Sequence, residues 1–415
     1  MFHRWAESAW GEKLAAPYVH IVFGARQTGK STLIQKLLPP HAVRIDLSIP
    51  KMRAQYLSRP DDLIALCRGL RPRAGGAWVF VDEAQNAPAL FDAVQHLYDG
   101  DKQRWRFILC GSSARKLRQT GANLLPGRSF LHRLFPLTLA ERPPDETPAE
   151  FDAPPPLPLD WPDGRSPPKL FPRAGLLERL AFGELPGVVT TAEAPRAEML
   201  YAYTQLHLEE EMRREAMVKD WPAFVRFLRF AAVESGHMVN YNKIAKDVGL
   251  SVPTIKSHYQ LLEDMFLGFR LPAFSGSPRK NLLSTDRFLF FDLGIRHAAA
   301  GLRPSADVVL ANPGPVFEQW VGVELWKRLQ YLGTGTLHYQ RTHDGAEVDF
   351  IIARDGKLTP IEVKWTENPS LSDARHLLTF LGEHPKEAKH GYIVCRCPQP
   401  LRLHDKVTAL PWFCL

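Results

Sequence analysis

A run of prolines divides this chain and limits where continuous secondary structure can lie. Of its 35 prolines, 11 fall in the stretch from Pro143 to Pro172, PPDETPAEFDAPPPLPLDWPDGRSPPKLFP. Proline lacks the backbone N–H and fixes φ, so such a stretch continues neither a helix nor a central strand. We predict a linker over 142–172 that follows an N-terminal domain, residues 1–141. At 415 residues the chain is long enough for two or three domains.

Before the linker, apolar runs alternate with helical patterns, which is typical of parallel strands covered on both faces. We therefore predict an α/β fold with strands at Val19–Phe23, Ala42–Leu47, Trp78–Val81 and Phe107–Cys110. Residues 173–282 carry mainly helical periodicities. From residue 283 the pattern is mixed, with a helix at Val316–Tyr331 and strands at Ala346–Ala353 and Leu358–Lys364. These patterns predict a helical middle region and an α/β C-terminal domain over 283–415.

Composition excludes several classes of protein. Hydrophobic residues make up 45% and charged residues 23%, as in globular proteins, and no apolar run reaches the ~20 residues of a membrane span. The N-terminal MFHRWAESAWGEK lacks a signal-peptide core, so we expect a cytoplasmic location. Five scattered cysteines favour reduced thiols over a disulfide framework or a zinc site. The net charge of +7 favours a polyanionic partner.

The stretch GARQTGKST, residues 24–32, lies between the apolar strand VHIVF and the helical pattern STLIQKLL. A Gly-rich turn between a strand and a helix presents backbone N–H groups and the helix N-terminus to one anion. The spacing fits GxxxxGK[ST], in which the lysine reaches the terminal phosphates of ATP and the following hydroxyl holds Mg²⁺. The predicted phosphate-binding residues are Gly24, Ala25, Arg26, Gln27, Thr28, Gly29, Lys30, Ser31 and Thr32. The alternative is a fortuitous flexible loop.

A second motif, WVFVDE, is an apolar strand that ends in two carboxylates, Asp82 and Glu83. Ligands bind at the C-terminal ends of the strands in α/β sheets. Asp82 is predicted to hold Mg²⁺ through its water shell, and Glu83 to polarise the water that attacks the γ-phosphate. The alternative is a buried strand with a solvated acidic turn. Two such motifs in this order favour nucleotide hydrolysis more than either does alone.

Further along, the strand RFILCG delivers Ser112 and Ser113, whose hydroxyls are candidate sensors of the γ-phosphate. Helix capping explains these serines nearly as well. The stretch GRSFLHRLF contains Arg128 and Arg133. A guanidinium acting across a subunit boundary would stabilise the transferring phosphoryl group, which gives such an enzyme a reason to form oligomers. The alternative for each arginine is an ordinary surface charge.

Taken together, GARQTGKS, WVFVDEAQN, FILCGSSARKL and GRSFLHRLFPLTLAE resemble the bacterial and archaeal AAA-type ATPases that carry a C-terminal domain of unknown function. The stretches LAFGELPGVV and FLFFDLG extend the resemblance beyond the linker. The resemblance implies Mg²⁺-dependent ATP hydrolysis by Lys30, Ser31, Asp82 and Glu83, with a sensor at Ser112 or Ser113. The long proline insert is more than we would expect of this family.

The stretch HMVNYNKIAKDVGLSVPTIKSHYQLLEDMF has the pattern of a winged helix-turn-helix. A first helix is predicted over Asn240–Asp247, a turn over Gly249–Ser251 and a second helix with Pro253 at its first position. The polar residues of the second helix, which would face DNA, are Thr254, Lys256, Ser257 and His258. Arg279 and Lys280 would belong to a basic wing. The alternative is a rigid spacer or protein-docking module.

Near the end of the chain, Glu318 lies in a predicted helix, Asp349 in a strand, and Glu362 and Lys364 two residues apart in the next strand. A period of two places Glu362 and Lys364 on one face of their strand. Three carboxylates beside one lysine would form a Mg²⁺ site with a base, a means of activating water against a phosphodiester. The spacing resembles the PD-(D/E)xK nucleases, with Asp349, Glu362 and Lys364 as the core triad.

Two alternatives remain for this C-terminal motif. Charges alternate with apolar residues on any half-exposed strand, and an intact motif can also lie in a domain that only binds DNA or packs on the ATPase. Trp365 and Arg341 would contact a nucleic-acid backbone, although burial is the commoner fate of a tryptophan.

The combined hypothesis is a cytoplasmic, DNA-binding ATP-driven motor with ATP and Mg²⁺ as cofactors, acting on duplex, branched or partly unwound DNA, with a nuclease-like C-terminal domain. We expect a homo-oligomer, with a hexameric ring as one arrangement, and no membrane association. The alternative is an ATP-dependent regulatory or defence switch whose winged helix and C-terminal domain only bind partners.

Overall fold

The computed structural model describes residues 2–72, 75–112, 127–142, 175–208, 218, 220–275, 285–341 and 347–415. The predicted linker residues 143–172, Ser113, Arg279 and Lys280 lie outside these residues. The chain divides into two compact units. Unit 1 is formed by His3–Phe135 with Asp264–Phe266, and unit 2 by Pro136–Glu263 with Leu267–Leu415. Because each unit has its own core, each is described by itself.

Unit 1 is built on a sheet whose strands are all parallel and run in the order β2–β3–β4–β1–β5. The strands are β1 Val19–Phe23, β2 Val43–Asp46, β3 Ala77–Asp82, β4 Trp105–Gly111 and β5 Ser129–Arg133. The helices are α1 Ala6–Leu14, α2 Lys30–Leu37, α3 Pro50–Ser58, α4 Asp62–Arg68 and α5 Leu90–Gly100. The predicted α/β fold and the four predicted strands of this region are confirmed, with bounds shifted by at most two residues.

Strands β1, β3 and β4 are buried almost throughout, which explains their near-continuous apolar sequences. β5 is not among the predicted strands. It pairs with β1 at the edge of the sheet and leaves Phe130 and Leu131 about half exposed. Its sequence SFLHR therefore lacks the continuous apolar run that marks the central strands.

The described middle region of unit 2 is largely helical. Its helices are α6 Leu176–Phe182, α7 Pro186–Val189, α8 Arg196–Ala202, α9 Trp221–Val233, α10 Tyr241–Val248 and α11 Val252–Asp264, with a π-helical turn at Tyr203–His207. Strands β6 Gly268–Leu271 and β7 Arg287–Phe290 then pair antiparallel. The helix predicted at 240–247 is confirmed, with both of its bounds one residue further along the chain. Asn240 precedes the helix as its N-cap and accepts a hydrogen bond from the Lys243 amide.

The C-terminal region of unit 2 combines helices with a mixed sheet. The helices are α12 Leu293–Ala299, α13 Ala306–Ala311, α14 Pro313–Leu332 and α15 Arg375–Glu383. The sheet runs β12–β13–β11–β10–β9–β8. Its strands are β8 Thr336–Arg341, β9 Glu347–Arg354, β10 Lys357–Val363, β11 Gly391–Cys395, β12 Leu401–His404 and β13 Val407–Pro411. The predicted helix and both predicted strands of this region are confirmed.

A buried ionic cluster anchors α14 to the backbone that follows β5. Glu324 pairs with Lys327 at 3.1 Å and with Arg328 at 2.9 Å, and all three side chains are at most 2% exposed. Glu324 Oε1 accepts the backbone N–H of Leu139, and Lys327 Nζ donates to the carbonyl of Leu137. The segment after β5 is thus held by side chains of α14.

Cys67, Cys110, Cys395, Cys397 and Cys414 are free and buried. Among the helices of the described residues, none combines the length and apolar character that crossing a bilayer requires.

Candidate functional site

The loop GARQTGKS connects β1 to α2 at the C-terminal edge of the sheet of unit 1. Its path depends on glycine. A Cβ on Gly24 would lie 2.2 Å from the carbonyl oxygen of Leu134, and Gly29 adopts a left-handed φ of 90°. Gln27 is also left-handed, with φ 62°. The sequence therefore folds here into a tight turn that opens directly into a helix N-terminus.

Lys30 is the first residue of α2, and its side chain is buried. Its ammonium donates hydrogen bonds to the backbone carbonyls of Gly24 at 2.8 Å and Ala25 at 2.7 Å. Thr28 Oγ1 also donates to the Ala25 carbonyl, at 2.9 Å. The Lys30 ammonium thus donates to carbonyls of its own loop. A phosphate group bound in the loop would replace these carbonyls as the acceptor. Thr32 is exposed, and Arg26 is partly buried.

The structure brings Ser31 and Asp82 together, although 50 residues separate them in sequence. Asp82 is the last residue of β3. Its carboxylate accepts the backbone N–H of Glu83 at 3.0 Å and lies beside the Ser31 hydroxyl. Burial raises the pKa of Asp82, while the Ser31 hydroxyl and the Glu83 N–H act in the opposite direction. A hydroxyl next to a desolvated carboxylate is a donor set that fits Mg²⁺.

Glu83 follows directly and has a left-handed backbone, φ 52°. Its Oε2 accepts a hydrogen bond from Gln85 Nε2 at 2.5 Å, and the same nitrogen donates to Ser112 Oγ at 3.0 Å. Ser112 follows β4, the strand that lies between β1 and β3. The predicted acid and the predicted sensor are therefore linked through Gln85, a residue that the motif reasoning did not single out.

The two candidate arginines lie at opposite ends of β5. Arg128 precedes the strand and pairs with Asp99 at 2.6 Å. Arg133 ends the strand opposite Phe23, and therefore lies at the same sheet edge as the GARQTGKS loop.

Arg4 also supports this loop and was missed by sequence reasoning. It is buried, and its guanidinium donates to the carbonyls of Thr28 at 2.7 Å and Phe135 at 2.6 Å. No local pattern around Arg4 indicates this role, because both acceptors are backbone atoms distant in sequence.

In the middle region, α10 ends at Val248, and the left-handed φ of 75° at Gly249 turns the chain toward α11. Ser251 accepts a hydrogen bond from the Thr254 amide at the start of α11. Lys256 and Ser257 are exposed. The prediction that His258 faces outward is wrong: its ring is 8% exposed and lies 5.0 Å from both the Phe224 and Phe227 rings.

The C-terminal acidic cluster comprises Glu318 on α14, Asp349 on β9 and Glu362 on β10. β9 and β10 are antiparallel with Ile361 opposite Phe350, so the residues next along, Glu362 and Asp349, are neighbours across the pair. Asp349 Oδ2 accepts the backbone N–H of Val363 at 2.8 Å.

Two carboxylates of this cluster, Glu318 and Glu362, are each paired with a basic side chain. Arg287 of β7 donates to Glu318 Oε1 at 2.9 Å and also contacts Glu347. Lys364 Nζ donates to Glu362 Oε1 at 2.7 Å. This contact agrees with the prediction, from a period of two, that Glu362 and Lys364 lie on the same face of the strand.

Burial and the nearby Asp349 carboxylate raise the pKa of Glu318 to about 7 and that of Glu362 to about 8. Burial also raises the pKa of Asp349. Within the described part of the chain, no group of three or more His, Cys, Asp or Glu side chains is arranged to hold a metal ion. The three carboxylates predicted as metal ligands are thus close enough to interact, but two of them turn toward Arg287 and Lys364 instead. As arranged here they do not fit a Mg²⁺ ion.

Trp365 is partly buried, with its ring 5.5 Å from that of Phe317 and the Arg396 guanidinium 4.1 Å above it. Arg341 is exposed and lines a cavity of about 210 Å³ together with Arg287, Glu318 and Glu347.

Comparison with known protein families divides the chain into three matches. Residues 16–142 match the family described as "AAA domain". Residues 173–306 and 313–415 match two families described as "Domain of unknown function", DUF8612 and DUF4143 respectively.

Curated relatives carry no functional description. The chain is 23% identical over 383 residues to the uncharacterized protein Rv2008c of Mycobacterium tuberculosis, covering 89% of this chain and 77% of the relative. It is 22% identical over 385 residues to an uncharacterized protein of Haemophilus influenzae, covering 89% and 88%.

Among solved structures, protein VC1899 of Vibrio cholerae is 12% identical and is aligned over 93% of this chain and 90% of that protein, with a TM-score of 0.17. A TM-score this low does not establish a common fold. From the family matches, the chain carries an AAA-type domain, which suggests nucleotide hydrolysis, and a C-terminal domain of the DUF4143 type.

Proposed function

We propose that unit 1 hydrolyses ATP with the help of Mg²⁺. The observation that carries this proposal is the proximity of the Ser31 hydroxyl to the Asp82 carboxylate, which places the GARQTGKS loop beside the end of β3. It brings a phosphate-binding turn, a candidate metal-binding pair and the acid Glu83 to one edge of a parallel sheet, where α/β proteins bind their ligands. The match of residues 16–142 to an AAA domain supports the same reaction.

In this proposal each residue has a separate task. Lys30 leaves the carbonyls of Gly24 and Ala25 and pairs with the terminal phosphates of ATP. Ser31 would bind the metal directly and Asp82 through water, and the bound Mg²⁺ would neutralise charge on the phosphates. Glu83 takes the proton of the attacking water. Ser112 contacts the γ-phosphate.

The test measures nucleotide binding and hydrolysis separately. Lys30→Ala should abolish ATP binding in calorimetry, whereas Glu83→Gln should bind ATP and hydrolyse it at least about 100-fold more slowly. Lys36→Ala is a matched control, because Lys36 lies six residues further along α2 and pairs with Glu7 instead. Equal hydrolysis by wild type and Glu83→Gln would contradict the role of Glu83.

We also propose that α10, α11 and the β6–β7 pair form a winged helix-turn-helix that binds DNA. Two features support this proposal: the left-handed turn at Gly249 between two capped helices, and three exposed lysines on these helices, Lys243, Lys246 and Lys256. The positive charge of the whole chain favours the same class of partner.

DNA binding is tested by fluorescence anisotropy with duplex, forked and four-way DNA at several salt concentrations. Lys256→Ala should weaken binding and reduce the slope of log K against log salt by about 1 if Lys256 contacts a phosphate. Lys357→Ala, which removes an exposed lysine from β10, should change neither. Faster ATP hydrolysis in the presence of DNA would favour a DNA motor over the alternative, an ATP-dependent regulatory or defence switch.

For the C-terminal region we propose a restriction-endonuclease-like α/β fold without assigning a cleavage step. The order α14, β8–β10, α15 and β11, with carboxylates on α14, β9 and β10, supports this fold. The pairing of Glu318 with Arg287 and of Glu362 with Lys364 favours the second candidate function, in which this domain binds partners without cutting. Mg²⁺-dependent cleavage that disappears in Asp349→Ala would decide for a nuclease.

We further propose that the protein is a homo-oligomer in which Arg133 acts on the nucleotide of a neighbouring subunit. The position of Arg133 at the nucleotide edge of the sheet supports it over Arg128, which pairs with Asp99 at the other end of β5. Mixing Arg133→Ala with Glu83→Gln chains should restore hydrolysis at mixed interfaces, as measured by activity against the mixing ratio. The assembly state would be measured by light scattering with and without nucleotide.

A further inference from the structure

Gln85 occupies a confined position between the two polar groups that flank the proposed reaction site. It lies in the 3₁₀ turn Ala84–Asn86 that follows β3 and is 4% exposed. Its Nε2 lies 2.5 Å from Glu83 Oε2 and 3.0 Å from Ser112 Oγ. Because a primary amide has two N–H groups, these two contacts use both of its donors.

The carbonyl end of the same amide is equally restricted. Gln85 Oε1 is buried and has no hydrogen-bond partner among the described residues. It lies against Gly111, where an added Cβ would be only 2.6 Å from it. Turning the amide over would place Oε1 against the Glu83 carboxylate, so the charge of Glu83 fixes the orientation with the nitrogen toward Glu83.

We propose that Gln85 is a positioning residue for ATP hydrolysis, which sets the Glu83 carboxylate relative to the Ser112 hydroxyl. The proposal rests on the proposed ATPase function. The left-handed backbone of Glu83 fixes where its side chain begins, but leaves the carboxylate free to rotate. Gln85 removes that freedom and ties the base to the residue that would sense the γ-phosphate.

Such positioning matters because a general base must lie within about 2.6–3.2 Å of the water that it deprotonates. A displacement of about 1 Å in reacting groups can cost on the order of 100-fold in rate. Gln85 itself holds no phosphate in this arrangement, since its two donors are already engaged. Its loss should therefore change kcat and leave KM and nucleotide affinity unchanged.

The experiment compares steady-state ATP hydrolysis of the full chain with that of Gln85→Met, which keeps the length of the side chain but has no N–H donor. We expect kcat to fall about 10- to 100-fold with KM and the affinity for ADP unchanged. Gln103→Met is the matched control, because Gln103 is exposed, precedes β4 at the end opposite Ser112 and should behave as wild type. Unchanged kcat in Gln85→Met would overturn the proposal.

A second variant disturbs the amide without removing it. Gly111→Ala places a methyl group against Oε1 and should push the amide away from Glu83 and Ser112. It should reproduce the drop in kcat at constant KM. If Gln85→Met fails to fold, Gly111→Ala alone decides, and wild-type kcat in that variant would overturn the proposal.

A double-mutant cycle separates positioning from general support of the fold. In a Glu83→Gln background no carboxylate remains to be positioned, so adding Gln85→Met should not lower the residual single-turnover rate further. The same fold-loss in both backgrounds would mean that Gln85 only supports the structure. Failure of the wild type to hydrolyse ATP would refute the proposed function itself, whereas active wild type with equally active Gln85→Met refutes only this inference.

Discussion

Arg287 on β7 donates a hydrogen bond to Glu318 on α14 across 2.9 Å, and its guanidinium also contacts Glu347 on β9. The guanidinium further lies 4.3 Å from the centre of the Tyr339 ring. One buried cation thus joins three elements of unit 2 and provides the opposite charge for the acidic side chains around it.

The first prediction concerns this cation. Arg287→Met should lower the free energy of unfolding of unit 2 by about 2 kcal/mol at pH 8, less than for a fully buried pair because the Glu318 side chain remains 29% exposed. The loss should be smaller at pH 5, below the pKa of about 7 for Glu318, since a protonated carboxyl needs no counter-charge. Urea denaturation at pH 5 and pH 8 measures this loss of unfolding free energy, with the exposed Arg341→Met as control. Equal losses at the two pH values would contradict the prediction.

The second prediction concerns the start of the GARQTGKS loop. Gly24→Ala should lower the free energy of unfolding of unit 1 by about 1 to 3 kcal/mol, because its Cβ would overlap the Leu134 carbonyl oxygen. Gly11→Ala is the matched control within α1, where the added methyl meets nothing within 4 Å, and it should raise stability by up to about 1 kcal/mol. Thermal unfolding compares the two variants, and a neutral Gly24→Ala would mean that β1 and the Leu134 segment can separate.

A third prediction is an acid-sensitive element in unit 1. His20 Nδ1 and His132 Nε2 lie 3.0 Å apart on neighbouring strands, and burial lowers their pKa values to about 4 and about 3. The unfolded chain, with histidine pKa values near 6.5, therefore binds more protons than the folded one between about pH 6.5 and 3, so stability falls as the pH drops through this window. His132→Gln should reduce that pH dependence in urea melts, while exposed His41→Gln should leave it unchanged.

The fourth prediction separates two neighbours on α11. His258→Ala should lower stability by about 2 kcal/mol, because its ring packs against Phe224 and Phe227. Lys256→Ala should leave stability within about 0.5 kcal/mol of wild type and change only affinity for DNA. Chemical denaturation and anisotropy on both variants test this, and weaker DNA binding by a fully folded His258→Ala would contradict it.

A fifth prediction addresses the interior of α14. Glu324→Gln should cost about 3 kcal/mol or more, because Lys327 and Arg328 would be left buried with insufficient negative charge. Exposed Glu383→Gln on α15 is the matched control and should be near neutral. Urea denaturation is the measurement, and a loss no larger than in the control would show that the cluster relaxes.

Local motifs predicted where the residues of the candidate nucleotide site lie, because these residues follow the ends of strands. Gly29, Lys30, Ser31 and Asp82 each occupy a position that a short sequence pattern defines, and parallel strands bring those positions together. Gln85 and Arg4 could not be predicted in this way. Gln85 joins the nearby Glu83 to Ser112, which follows β4, and Arg4 contacts backbone carbonyls distant in sequence. No short sequence pattern defines either set of contacts.

The wrong prediction for His258 has the same kind of cause. His258 was expected to face outward because its neighbours on α11 are polar, yet the helical period turns it toward α9. The expected metal ligands at Glu318 and Glu362 depend on side-chain direction, which sequence spacing does not specify. Arg287 lies 31 residues from Glu318, so their pairing is visible only once β7 and α14 are placed.

Glu324 and Lys327 contact Leu139 and Leu137 through main-chain atoms. Every residue type has these atoms, except that proline lacks the amide hydrogen. Alanine substitutions at Leu137 and Leu139 would therefore leave these two hydrogen bonds in place. Slow amide hydrogen exchange at Leu139, or a loss of stability when proline replaces Leu139, would reveal them.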